Sequence, residues 1–508
     1  MKILPLLLLS LISLSLSEYS GIKAAITSEI FKILTKFDLN SFLQNKIIID
    51  KAEASGKYLF NYDVVCENLT ITNIKSPSNV TITHGKTSDD LPLAKVTFLN
   101  IELAIQIDYL YVKYGLIKET MNHPTGNVVL SYLDFTYYFT KNGELVISEL
   151  NVEIESLEID VRKDFLNWLI GLFKGLIKDE VTKKLTSLGD TISEQVNNWI
   201  NNEFILDAGY GIGLNLTFLL KPQLTQIVKS DLSVDLLLQL ANVILHKDEL
   251  ARKKLEDTVT SLLTFGVHGS CFPNEHPEDM PQFTPAVDMD FNTAYFTNEI
   301  QALISTYTLN TFLYTMQYND YLKMGITNAS HPMFPWDFDT QGLSELFPEF
   351  GEKYGEQNYE VQLNAYISKA NENPILESSL TGAKLTLSFN LDFLTSVSEE
   401  PVTDLSVTVK AELPFTLQVK YDLLTINWGT FTILNLDVNK NELNVSEDDL
   451  NTKIANMWNS YVTKYIKGYT KNVALAAILT LVTGMEFKNF KLETNEGHIL
   501  ASIAANLD

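Results

Sequence analysis

Cysteine and arginine are the scarcest chemistry-bearing residues of this 508-residue chain: there are two cysteines, Cys66 and Cys271, and two arginines, Arg162 and Arg252. So few and so distant cysteines exclude zinc ribbons and fingers, which need several ligands at short spacing. Positive charge is short as well, with 38 basic against 63 acidic residues and a formal net charge of −25. Nucleic acid and anionic membrane surfaces need a basic footprint, and neither half supplies one. Catalytic signatures are also missing. There is no Gly-x-Ser-x-Gly elbow and no His-Glu-x-x-His pair, so the usual hydrolase and zinc-protease contexts are absent. His268, Cys271 and His276 stand near Glu275, Glu278 and Asp279, but a metal site there would need a reduced thiol on a rigid loop, and a polar linker is the better reading. No catalytic residue, metal or cofactor is assigned, and the chain is expected not to be an enzyme.

Long apolar runs are lacking too. Ile3–Leu14 and Val473–Val482 are the two longest, and both fall short of the roughly 20 residues a membrane-spanning helix requires. The first follows Lys2 and precedes Ser15-Leu16-Ser17, which reads as a signal peptide over residues 1–17 with cleavage before Glu18. The mature protein is therefore expected outside the cell or in a vesicular lumen. Sequons at Asn68, Asn79, Asn215, Asn328 and Asn444 agree with that route. An oxidising compartment permits a Cys66–Cys271 disulfide, and the sequence leaves open whether the two thiols meet.

What is present is a duplication around a strap. Phe272–Phe296 carries prolines at Pro273, Pro277, Pro281 and Pro285, which forbids a helix and removes ladder donors. Before it, Gly21–Phe42 has apolar residues at helical spacing and predicts an amphipathic helix. Ile101–Tyr111 alternates as a strand; Leu145–Val161 alternates with phase slips between Ile147 and Leu150 and between Ile154 and Leu157, which predict bulges. Asp164–Asn201 predicts a long helix, Ile212–Leu220 a strand, and Asp248–Thr264 a shorter helix. After the strap come a predicted helix from Asp290 to Ser305, a short helical segment at Leu343–Tyr354, and strands at Tyr359–Ile367 and Leu385–Phe393. A capping pattern at Ser446–Asp449 opens a long helix expected to close near Gly484, and a final hairpin turns at Asn495-Glu496-Gly497. The fold class is α+β, internally duplicated.

These segments resemble, in order, the family of bactericidal/permeability-increasing protein, lipopolysaccharide-binding protein and the plasma lipid-transfer proteins. GIKAAITSEIFKIL (Gly21–Leu34) is similar to the family's opening helix, and Phe272–Pro285 to its proline-rich linker. Phe291-Asn292-Thr293-Ala294, LSELFPEFGEKYGEQNYEVQL (Leu343–Leu363) and HILASIAANL (His498–Leu507) resemble later family segments. The resemblance implies an elongated boomerang of two twisted β-barrels, each with two helices, joined by a central antiparallel sheet. It divides the chain into a lipid-binding barrel domain at 18–270, a linker at 271–288 and a second barrel domain at 289–508.

It also implies a partner, a phospholipid or other acyl-chain lipid, met at a membrane or lipid-particle surface. On this reading Ile22, Ile26, Ile30, Leu166, Ile170 and Phe173 line one pocket, and Ile300, Leu303, Ile304, Trp458, Tyr461 and Tyr465 the other. Each buried CH₂ is worth about 0.8 kcal/mol, and a diacyl lipid with about thirty of them gains roughly 20 kcal/mol, so binding needs no directional contact to the chains. Two departures from the family bear on the ligand. Asp164–Asn201 has no cysteine to form the family disulfide, and the segment His84–Pro92, at the candidate tip where endotoxin binders cluster cations, is net acidic. The expectation is a secreted lipid-binding protein, with lipid transfer left open; an innate-defence protein for bacterial lipopolysaccharide comes second and a secreted hydrolase third.

Overall fold

The computed structural model describes residues 20–28, 48–57, 61–160, 164–228, 259–278, 283, 289, 291, 300–327, 335–470, 473–474 and 487–505. The described chain is mostly sheet with few helices. It opens with β1 (Ile22–Thr27), followed by β2 (Ile48–Lys57), β3 (Asn61–Ile74), β4 (Asn79–Lys86), β5 (Pro92–Tyr114), β6 (Ile117–Asn122), β7 (Thr125–Phe139) and β8 (Leu145–Ile159). The helix α1 (Asp164–Asn201) leads to β9 (Ile205–Gly209), β10 (Ile212–Asn215), β11 (Phe218–Val228), β12 (Val259–Val267) and β13 (Cys271–Pro273). In the second half β14 (Ile300–Ser305) runs straight into α2 (Thr306–Tyr318), then β15 (Lys323–Ile326), α3 (Pro348–Tyr354), β16 (Val361–Tyr366), β17 (Ile375–Ser379), β18 (Gly382–Thr395), β19 (Val402–Lys420), β20 (Leu423–Trp428) and β21 (Thr432–Asn441). The helix α4 (Glu447–Met457), a π-turn (Trp458–Val462) and α5 (Thr463–Tyr469) precede β22 (Val473–Ala474), β23 (Phe487–Asn495) and β24 (His498–Ala505).

Each half is built on one very long strand. The 23-residue β5 pairs with β3, β4, β6 and β7, completing a sheet ordered β2-β3-β5-β7-β8. Its counterpart, the 19-residue β19, pairs with β18, β20 and β21 in a sheet that runs from β15 to β22. In the first half α1 touches both edge strands, β2 and β8, so the sheet curls around it. In the second half α4 lies on β21 and α5 on β20. A third sheet, ordered β11-β12-β1-β14-β24-β23, takes three strands from each half and joins them through the antiparallel β1–β14 ladder.

Several expectations hold in detail. The long helix spans Asp164–Asn201. The register of β8 against β7 slips where Ser148 and Glu155 are skipped, at both predicted bulges. Ser446 caps α4, its hydroxyl accepting from Asp449 N–H at 3.2 Å, and the last hairpin turns between Asn495 and His498.

Others are overturned. Ile22–Thr27, Val259–Thr264 and Ile300–Ser305 are strands, not parts of helices. The remainder of Gly21–Phe42 beyond Ser28 lies outside the described residues. The last long helix ends at Tyr469 rather than near Gly484. Along β5 the buried face runs through Ile101, Leu103, Ile105 and Ile107 and then passes to Leu110, Val112 and Tyr114, leaving Tyr109 and Tyr111 half-buried. The slip falls where Asn68 of the paired strand adopts a left-handed φ of 53° and its amide reaches Asp108; such a conformation is tolerated by asparagine.

Candidate functional site

The proposed pocket residues begin in the central sheet. Ile22 faces Ile304 and Ile26 faces Ile300 across the β1–β14 ladder, so residues assigned to two separate pockets are neighbours. The misreading has a simple cause. Residues four apart share a face on a helix and on a strand alike, since four is near one helical turn and is twice the strand period. Ile26 and Ile300 are buried in the apolar core of the first half, with Ile22, Ala302 and Ile503 packed against it. Leu303 has odd parity and points through the other face, where it meets Met289 and Leu500. That face is also polar: Lys23 is 3% exposed and donates to the Met289 carbonyl oxygen at 2.9 Å. Met289 belongs to the proline-rich strap, and at this residue the strap touches the sheet that joins the halves.

The interior of the first half is apolar. Leu69 and Ile71 of β3, Leu103, Ile105 and Ile107 of β5 and Ile200 of α1 are all buried in it. Leu166, Ile170 and Phe173 lie on α1. Their side chains, and all of Ile30, lie outside the described residues.

The interior of the second half is lined with aromatics. Asn459, inside the π-turn, clamps it to the sheet: its Oδ1 accepts from Phe431 N–H at 2.8 Å and its amide donates to Phe431 O at 3.0 Å. Trp458 is buried, stacked on Phe431 at 4.5 Å and tilted against Phe389 at 5.1 Å. Tyr461 is half-buried, edge-on to Trp336 at 4.5 Å. The Tyr465 side chain lies outside the described residues. Sequence reasoning missed Trp336, Phe389 and Phe431 as neighbours of the helix stripe; alternation along β18 marked Phe389, but nothing local marked the other two.

Both thiols are free and buried, Cys66 in the sheet of the first half and Cys271 in the small sheet β13-β10-β9. Their strands belong to different sheets. Burial pushes Cys66 up to about 12 and Cys271 to about 11. The neighbouring histidines do not converge with them on a metal: His268 is ring-to-edge with Tyr307, and His276 is exposed near Glu278. Among the described residues there is no group of three metal-ligating side chains, and no helix long and apolar enough to cross a membrane. An open cavity of about 750 Å³ lies between the start of α2, the β17–β18 hairpin and the β23–β24 turn. Its walls mix polar side chains (Asn310, Glu377, Lys384, Asn427 and Glu496) with apolar ones (Ile375, Leu376, Pro414 and Phe415).

Residues 258–505 match the LBP / BPI / CETP family, C-terminal domain. No curated protein matches the chain. Among solved structures, the crystal structure of lipopolysaccharide binding protein aligns at 11% identity over 96% of this chain and 99% of that chain, with a TM-score of 0.37. P47 of Clostridium botulinum E1 aligns at 12% identity over 96% and 99%, with a TM-score of 0.25. P47 from Clostridium botulinum A2 aligns at 11% identity over 96% and 97%, with a TM-score of 0.23.

Proposed function

Because the chain belongs to the LBP / BPI / CETP family through its C-terminal domain at residues 258–505, we propose that it is a non-enzymatic lipid-binding protein holding acyl chains in one apolar interior per half. The family membership carries this reading. The duplicated plan supports it: each half has a curved sheet with a helix across it and its own large apolar core. The proposal includes the boomerang of two barrels over 18–270 and 289–508, with 271–288 as the linker. It also includes removal of residues 1–17, secretion, and glycans on the exposed sequons Asn68, Asn79 and Asn444.

The ligand favoured is a lipid with a neutral or zwitterionic head. The tip of the β4–β5 hairpin, His84–Pro92, offers one lysine, Lys86, already paired with Asp90 at 2.7 Å beside exposed Asp89. Endotoxin phosphates want clustered or bidentate cations. Lipopolysaccharide binding is therefore the second reading and hydrolysis the third.

Mass spectrometry of an organic extract of the native protein tests the main reading. Two molecules of a two-chain lipid per chain are expected, together with uptake of a fluorescent phosphatidylcholine and weak endotoxin binding at physiological salt. A lipid-free extract with no uptake would overturn lipid binding. Tight, salt-sensitive endotoxin binding would reverse the order of the first two readings.

A further inference from the structure

The helix over the second sheet is interrupted at one place, and buried hydrogen-bonding groups without partners gather there. Thr463 N–H donates to Trp458 O across the π-turn, an i→i+5 bond that widens the helix. That wider turn stacks Thr463 about one turn after Trp458, on the same side of the helix. Trp458 is 8% exposed and Thr463 5% exposed, and neither Trp458 Nε1 nor Thr463 Oγ1 has a hydrogen-bond partner among the described residues. Buried polar groups are nearly always bonded, so two on one turn call for an explanation.

The surroundings hold the indole and the turn in place. The indole is held by stacking on Phe431 and Phe389, which fixes the direction of its N–H. The Asn459 clamp on Phe431 fixes the turn. Threonine hydroxyls elsewhere on this helix are satisfied locally: Thr452 Oγ1 donates to Asp448 O at 3.0 Å and Thr470 Oγ1 to Ile466 O at 2.9 Å. Thr463, at the π-turn, makes no such bond.

We propose that Trp458 Nε1 and Thr463 Oγ1 are ligand donors, holding a carbonyl oxygen of an acyl ester inside the second half and so setting which lipids it accepts. The inference rests on the lipid-binding reading and adds a polar anchor to an interior that family membership alone leaves purely apolar. The groups supply two donors and no charge, which suits an ester oxygen better than a phosphate. A pure hydrocarbon would leave both donors unsatisfied, and burying an unmade bond is unfavourable. The two residues therefore discriminate by the absence of an acceptor.

The test compares two probes on delipidated full-length protein, methyl oleate and a hydrocarbon of matching length, each delivered from cyclodextrin. Trp458→Phe keeps a stacking ring and removes the N–H; Thr463→Val keeps the shape and removes the hydroxyl. Wild type should favour the ester. Each variant should weaken ester binding about 2- to 10-fold, the range for one neutral hydrogen bond, and leave hydrocarbon binding unchanged. Delipidated Thr463→Val should melt at or above the wild-type temperature, because it loses an unsatisfied buried hydroxyl at nearly constant volume, whereas Trp458→Phe also leaves a gap beside Phe431 and is judged by its binding alone. Equal ester and hydrocarbon binding in wild type and variants would overturn the inference and leave the lipid reading standing. Binding of neither probe would overturn both. A variant that weakens both probes equally would make the residues simple packing and also overturn the inference.

Discussion

Cys66 and Cys271 behave as small apolar side chains. Burial in the sheet of the first half pushes Cys66 up from 9.0 to about 12, with Glu67 adding to the rise, and burial pushes Cys271 to about 11. The thiolate is the reactive form, so both residues are expected to resist iodoacetamide at pH 8 in the native protein and to react fully in urea. Native labelling at the rate of a free cysteine would contradict this burial. The same shifts set a pH dependence. Above about pH 9 the unfolded chain releases thiol protons that the folded chain keeps, so the unfolded state binds fewer protons and stability falls as pH rises. Buried Tyr137, also raised by desolvation, acts in the same direction at higher pH. The melting temperature should drop between pH 9 and 11, and Cys66→Ala should flatten that drop. An unchanged slope in Cys66→Ala would assign the alkaline loss to other groups.

At the scale of elements, the legible features were those with a local cause. The bulges at Ser148 and Glu155 were visible as breaks in a period of two, the α1 stripe as a period near 3.6, and the Ser446 cap as a hydroxyl three residues before the N–H it accepts from. The central strands were not legible. Ile22 and Ile26, like Ile300 and Ile304, satisfy both periods, and the choice between helix and strand was made by partners far away in the chain. The π-turn was equally hidden, because its clamp runs from Asn459 to Phe431. Of the candidate site, apolar composition was readable, while pairing and polar anchors were not. The tertiary choice at β1 can be tested directly. Ala25 lies between Thr264 of β12 and Gln301 of β14, in the interior of the sheet. Ala25→Pro removes a donor where prolines are not tolerated and should give a protein that is degraded by limited proteolysis under conditions where wild type is resistant. Ala25→Ser, which retains the N–H, should stay resistant. A resistant, normally melting Ala25→Pro would mean that β1 does not hold the halves together.

Over the whole molecule, the shared sheet makes two architectural halves into one thermodynamic unit. The core of the first half includes Ile300 of β14, with Ala302 and Ile503 of the second half packed against it. The β9–β10 turn is tied in the same way to the end of α2, where Tyr321 Oη donates to Tyr210 O at 2.9 Å and Asn319 Nδ2 to Gly211 O at 3.1 Å. The strap adds a third tie through Lys23 and Met289. Unfolding the second half alone would strip β14 from β1, exposing an unpaired strand edge and part of the first core to water. That cost couples the two transitions. Delipidated full-length protein should therefore show one calorimetric unfolding peak with equal calorimetric and van't Hoff enthalpies, despite a size at which domains commonly melt apart. Delipidation matters because a ligand bound to one half alone would raise that half's stability and separate the peaks artificially. Two resolved peaks in lipid-free protein would show that the β1–β14 ladder is too weak to couple the halves, and Ala25→Pro would then be expected to shift only one of them.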